Sequence, residues 1–222
     1  MSVGSSPGAT SGGRASQPEG GRDPVRERII DAALELFVRQ GYDATTVAQI
    51  AAKAGVTSAD LTRHFPSAEA VLIAVAEDMA RTTAGELRNV AKGGDPVRAL
   101  LQAGTLALAA IAEGRSELAL DRVLAMARVV TTTRNLHRKV STARKRVLTR
   151  PLAHWMGVDP KDRRLRHALT MWSAVAASAY VGALSMPDPY EAQRDTKIHQ
   201  RMLAGMLQSF GEVMGDDVDH GE

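Results

Sequence analysis

Thr46, Lys53, Thr57, Ser58, Asp60, Thr62, Arg63 and His64 bring hydroxyls, cations, one carboxylate and one imidazole into a short stretch of a 222-residue chain. These groups hydrogen-bond and carry charge. Hydroxyls and the free amides at helix starts suit phosphate oxygens, and an arginine fork suits a phosphate or the edge of guanine. Such chemistry suits gripping and reading a polyanion. No Gly-rich phosphate loop, serine elbow or H-E-x-x-H run is present, and His64, His137, His154, His167, His199 and His220 are never four residues apart. Neither catalysis nor a metal site is therefore expected, and no cofactor is implied.

Those side chains need a frame, and the apolar spacing supplies one. Val25, Ile29, Ala33, Leu36 and Phe37 recur at helical intervals and give a first helix one apolar face, which Gly41 stops. Thr46 opens a second helix as a T-x-x-Q capping box with Gln49, turning Val47, Ile50 and Ala51 inward. Ala54-Gly55-Val56 forms a turn. Thr57 then caps a third helix, with Asp60 as a carboxylate variant of the same box and Leu61 and Phe65 as the buried side. Two helices joined by a short Gly-containing turn form a DNA-reading unit.

The run TTVAQIAAKAGVTSADLTRHFPSAEAVL resembles the N-terminal domain of TetR-family transcriptional regulators. Thr-Thr-Val, Ile-Ala, Ala-Gly-Val, Leu, His-Phe, Ser and Glu-Ala follow the first helix in the family's order. The resemblance implies an all-α homodimeric repressor, with a three-helix helix-turn-helix DNA-binding domain and a C-terminal helical domain for effector binding and dimerisation. There are departures. The family commonly has a small residue and then Thr where this chain has Ala59 and Asp60, an aromatic at Thr62 and a lysine at Ala68. By the resemblance the last two contact phosphate, so the grip on double-stranded DNA is expected to rest on Thr46, Lys53, Thr57, Ser58, Thr62, Arg63, His64 and the helix-start amides. The competing reading is a helical dimer that senses a ligand or binds protein, its DNA-reading face weakened.

Composition fits a globular helical protein, 44% hydrophobic and only 4% aromatic. Twenty-eight Lys and Arg against 25 Asp and Glu leave a net charge of +3, too little to argue nucleic-acid binding alone, so placement matters more. Residues 1–22 are Gly/Ser/Pro-rich without apolar period and are expected to be a disordered arm, made basic at its junction by Arg14, Arg22, Arg26 and Arg28. Similar arms enter the minor groove. The chain has no cysteine, which excludes disulfides and agrees with a reducing cytoplasm, and charges interrupt every apolar stretch, so no membrane span is expected. The resulting division is an arm at 1–22, a DNA-binding domain at 23–73, an effector and dimerisation domain at 74–215 and a frayed tail at 216–222.

Asp-Pro recurs at Asp23-Pro24, Asp95-Pro96, Asp159-Pro160 and Asp188-Pro189, a cap followed by a residue suited to the first helical position. Ser67 caps a linking helix over 67–88. Further helices are expected from Asp95, from Ser116, over 133–155 with Pro151 kinking or ending it, over 161–185 and over 190–214. By the resemblance, the last two pair with their mates as a four-helix bundle between subunits. The resemblance also implies a pocket between the helices near 95–185 for a small hydrophobic or amphipathic effector, with Thr105, Met126, Val129, Leu136, Trp155, Met171, Trp172 and Tyr180 as lining. Arg134, Arg138, Lys139, Arg144, Lys145, Arg146 and Arg150 form either a solvated cationic helix face or a charged pocket mouth that attracts an anionic effector.

Overall fold

The computed structural model describes residues 23–133 and 135–181. Among them the chain is all helical: α1 (Pro24–Gln40), α2 (Val47–Ala54), α3 (Ser58–His64), α4 (Ala68–Glu86) with a 3₁₀ turn (Leu87–Asn89), α5 (Pro96–Ala112), α6 (Leu120–Thr132), α7 (Leu136–Met156) and α8 (Arg163–Val181). No described helix is long and apolar enough to cross a membrane. The expected arm, tail and helix over 190–214, together with Arg14, Arg22, Arg134 and Asp188-Pro189, lie outside the described residues.

Among the described residues one apolar core runs the length of the bundle. Ile29, Ile30, Leu34 and Phe37 of α1 meet Ile50 of α2 and Leu61 of α3, and Leu72 and Val75 of α4 carry the core on to Leu100, Leu124 and Leu152. Removing a leucine side chain of this kind from water contributes about 1.5–3 kcal/mol. The helix α4 packs on α1 at one end and on α5, α6 and α7 along the rest, so the boundary drawn at residue 73 runs through an element both halves share.

Local caps decide where most helices begin. Asp23 accepts from the Val25 amide at 2.9 Å and Asp95 from the Arg98 amide at 2.8 Å, so two of the Asp-Pro pairs open helices as expected. Asp159-Pro160 does not. Asp159 accepts from the Lys161 amide at 2.8 Å in a turn, and Asp162 then accepts from the Arg164 amide at 2.7 Å, which moves the start of α8 from residue 161 to Arg163.

Three further expectations are corrected. Ser116 opens no helix: its hydroxyl accepts from the Leu118 amide at 3.2 Å in a turn that buries Leu118, and α6 starts at Leu120 without a side-chain cap. The helix expected from residue 133 starts at Leu136, because Asn135 adopts a left-handed conformation at φ 72°, one that asparagine tolerates better than most residues. Pro151 does not end that helix, which continues to Met156. The proline removes one helical donor, and burial of Leu152, Ala153 and Trp155 just beyond it offsets the loss.

Candidate nucleic-acid interface

The reading unit is held by hydrogen bonds that its own sequence supplies. Thr46 accepts from the Gln49 amide at 3.3 Å while Gln49 Oε1 accepts from the Thr46 amide at 2.8 Å, closing the capping box on α2. Gly55 ends α2 in a left-handed conformation at φ 67°, ψ 39°, and the Val56 amide donates to the Ala51 carbonyl at 3.0 Å. A residue with a Cβ is strained at that φ, so the sharp turn into α3 depends on glycine. Thr57 then caps α3, accepting from the Asp60 amide at 3.0 Å and donating to Asp60 Oδ2 at 2.6 Å. Leu61 and Phe65 pin this short helix to the core.

The outward face is polar. Thr46, Thr57, Ser58, Thr62 and Arg63 are exposed, and Arg63 has 71% of its side chain accessible. The Thr62 hydroxyl donates to the Ser58 carbonyl at 2.8 Å, which keeps its lone pairs outward. Asp60 sets the arginine: its Oδ1 lies 3.0 Å from the Arg63 guanidinium. The Thr57 hydroxyl bond, seconded by Arg63, holds the Asp60 carboxyl below its ordinary pKa, so it stays charged at neutral pH.

Two of the expected contact residues pair with carboxylates of this chain. Lys53 Nζ lies 2.9 Å from Glu35 of α1, and His64 Nδ1 lies 3.4 Å from Asp23 at the α1 cap. Both tie the reading unit to α1. Arg26, expected in a basic junction, stacks 5.4 Å over Phe65 and lies 3.2 Å from Glu27. Arg28 was read only as part of that junction. It lines a groove of about 580 Å³ with Val56, Thr57, Asp60 and Arg63, and its Nε donates to the Ala54 carbonyl at 3.3 Å. The signal in the sequence is its place on α1, one turn after Pro24, on the side opposite Ile29 and Ile30.

Behind this surface, α6 grips α1. Arg122 is buried to 11% exposure, and its Nε and second terminal nitrogen donate to the two Asp31 oxygens at 2.7 and 2.9 Å, while the remaining nitrogen donates to Glu27. Burial opposes the charge, but the bonds to Asp31 and Glu27 outweigh it and hold the guanidinium pKa above its ordinary value. This fork-to-carboxylate geometry fixes the orientation of the reading unit on the helices behind it.

The expected effector residues do not gather at one place. Met126, Val129, Leu136 and Trp172 are closed into the core, and Thr105 is half-buried with its hydroxyl donating to the Leu101 carbonyl at 3.2 Å. Met171 is 48% exposed on the outer face of α8, and the Tyr180 side chain lies outside the described residues. Trp155 lines a cavity between α4 and α7. The basic run divides similarly. Lys139 and Arg146 pair with Glu69 and Glu77 of α4, Arg144 lies buried 4.5 Å over the Trp172 ring, and Arg150 reaches the cavity.

Residues 29–75 match the model of the family described as bacterial regulatory proteins, tetR family. The transcriptional regulator TcmR of Streptomyces glaucescens is 35% identical over 159 residues, 68% of this chain and 69% of TcmR. The regulator YvkB of Bacillus subtilis is 35% identical over 85 residues, 38% of this chain and 44% of YvkB, so the chain spans less than half the length of that relative. A solved structure from Syntrophomonas wolfei, classed with the same family, shares the fold at 16% identity and a TM-score of 0.51, covering 88% of this chain and 97% of its own.

Proposed function

The chain belongs to the TetR family of transcriptional regulators, and from that premise we propose that it binds a pseudo-palindromic operator as a homodimer, represses, and is released by a small hydrophobic or amphipathic effector. The carrying observation is the capped α2–turn–α3 unit, which turns Thr46, Thr57, Ser58, Thr62 and Arg63 outward on a rigidly held pair of helices. In this reading the hydroxyls and helix-start amides hold phosphates, and Arg63 reads a base edge from α3 in the major groove. Asp60 orients Arg63 and holds the cap, while Lys53 and His64 act through α1.

Dimerisation is supported by the outer face of α8, where Met171 and Ala174 are exposed between Thr170 and Val175. Two reading helices about 34–36 Å apart then meet successive major grooves. Because α4 and the Arg122 contact join the two halves, an effector that shifts α4 or α6 changes that spacing, and effector and operator must oppose each other reciprocally.

Selection of bound duplexes from a random pool tests this. Enrichment of a two-fold symmetric motif with half-sites about one helical turn apart is the expected result. A pool that stays random through successive rounds would favour a helical dimer that senses ligand without reading DNA.

A further inference from the structure

The seam between the C-terminal ends of α4 and α7 holds a cavity of about 720 Å³, within the range of about 300–1,000 Å³ typical of small-molecule sites. Its two walls are helix faces. On one, Arg81, Ala84, Gly85 and Arg88 follow at helical spacing; on the other, Val147, Pro151 and Trp155 do the same. The Trp155 ring is fixed in the wall because its Nε1 donates to the Val90 carbonyl at 3.1 Å. Pro151 removes the amide that would bond the Val147 carbonyl, on a wall that both residues line. Gly85 leaves the opposite wall open: a Cβ there would meet only the Arg88 guanidinium, at 3.8 Å.

The charge at this cavity has one sign. Arg81, Arg88, Lys92 and Arg150 line it, and none of its lining residues is a carboxylate. Arg81 already pairs with Asp78, but Arg88, Lys92 and Arg150 have no ion pair among the described residues and are exposed. A wider depression of about 850 Å³ at the starts of α5 and α8 differs on both counts. Its lining includes the Asp95 carboxylate and has no Trp, Tyr or Phe wall, and its Arg164 is paired with Asp162 at 2.8 Å.

We propose that the α4–α7 cavity binds an organic anion with an apolar body. Arg88, Lys92 and Arg150 hold its carboxylate or phosphate head, and Trp155, Val147 and Pro151 cover its body. The cations raise the local concentration of such a ligand and discriminate against neutral and cationic analogues of equal length. An occupant pressing on α4 acts on the helix that also packs against α1. The regulatory role of the site therefore rests on the effector-responsive reading above.

Trp172→Phe leaves Trp155 as the sole tryptophan of a chain that has 2, and keeps an aromatic ring under Arg144. Decanoate, decanol and decyltrimethylammonium are titrated into it below micelle-forming concentrations, with Trp155 emission as the readout and calorimetry on the unsubstituted chain as a second measurement. Decanoate should bind at least about tenfold tighter than the other two, the scale of one charge-assisted hydrogen bond, and the advantage should shrink with salt. Arg88→Ala with Arg150→Ala should erase the preference, and filling the cavity with Gly85→Phe or Ala84→Phe should abolish binding in protein that still unfolds cooperatively. Equal affinity for the three heads, a preference that survives the double substitution, or binding that survives both filled variants would overturn the proposal. Operator affinity is read separately. Decanoate bound in the cavity with operator affinity unchanged supports the site and overturns only the effector-release reading.

Discussion

Replacing Arg122 with methionine keeps the aliphatic stem and removes the guanidinium that joins α6 to α1. Three charge-assisted hydrogen bonds are lost, to both oxygens of Asp31 and to Glu27. Each such bond contributes about 1.5–3 kcal/mol when fully desolvated. The sum is far smaller here. The Asp31 side chain is 56% exposed and recovers water, and Glu27 keeps Arg26 at 3.2 Å. A net loss of about 1.5–3 kcal/mol is expected, most of it from leaving the less exposed Glu27 with a poorer partner. Urea unfolding measures it, and a double-mutant cycle with Asp31→Asn isolates the pair, with a coupling of about 0.5–2 kcal/mol expected. A change within about 0.5 kcal/mol for Arg122→Met, or a coupling of zero, would mean that this contact does not hold the reading unit on α6.

Other perturbations follow from the reading unit itself. Thr57→Ala removes both the α3 cap and the hydroxyl that holds Asp60, and should cost about 1 kcal/mol in chemical denaturation, with a loss of operator affinity. Gly55→Val forces a branched side chain into φ 67° and should cost about 1–2 kcal/mol, where Ala54→Gly, without that strain, should differ in its urea curve by less. Because the folded-state pKa of Asp60 is lowered, its contribution to stability is present above the ordinary carboxylate value and is lost as pH falls through the lowered one. Asp60→Asn should remove that acid-side dependence, and by releasing Arg63 it should raise affinity for random duplexes while weakening sequence preference, as read by anisotropy at fixed salt.

What the sequence made legible was mostly local. Thr46 and Gln49, or Thr57 and Asp60, bond across three residues, so a spacing rule finds them, and Ile29, Ala33 and Phe37 declare a buried face by their period alone. Partnerships across the fold left no such trace. Lys53 with Glu35, His64 with Asp23 and Arg122 with Asp31 depend on how helices pack, so no spacing rule finds them. Burial similarly overrode the breaker at Pro151. The apolar residues expected around one pocket became core because Met126, Leu136 and Trp172 satisfy the packing demand of the bundle first, whereas the cavity at Trp155 arises from Gly85 and Ala84 facing it across a seam.

Under the proposed function, α3 reads sequence through Arg63. This is tested most directly by measuring, at fixed salt, the affinity of the wild type and of Arg63→Ala for a selected operator, for single-base variants of it and for a scrambled duplex. A preference of at least about 10³ for the operator over the scrambled duplex is expected, with Arg63→Ala losing about 1–3 kcal/mol and its discrimination at one base pair in each half-site. Equal affinity of the wild type for all these duplexes, or a uniform weakening by Arg63→Ala that leaves every base preference intact, would contradict it.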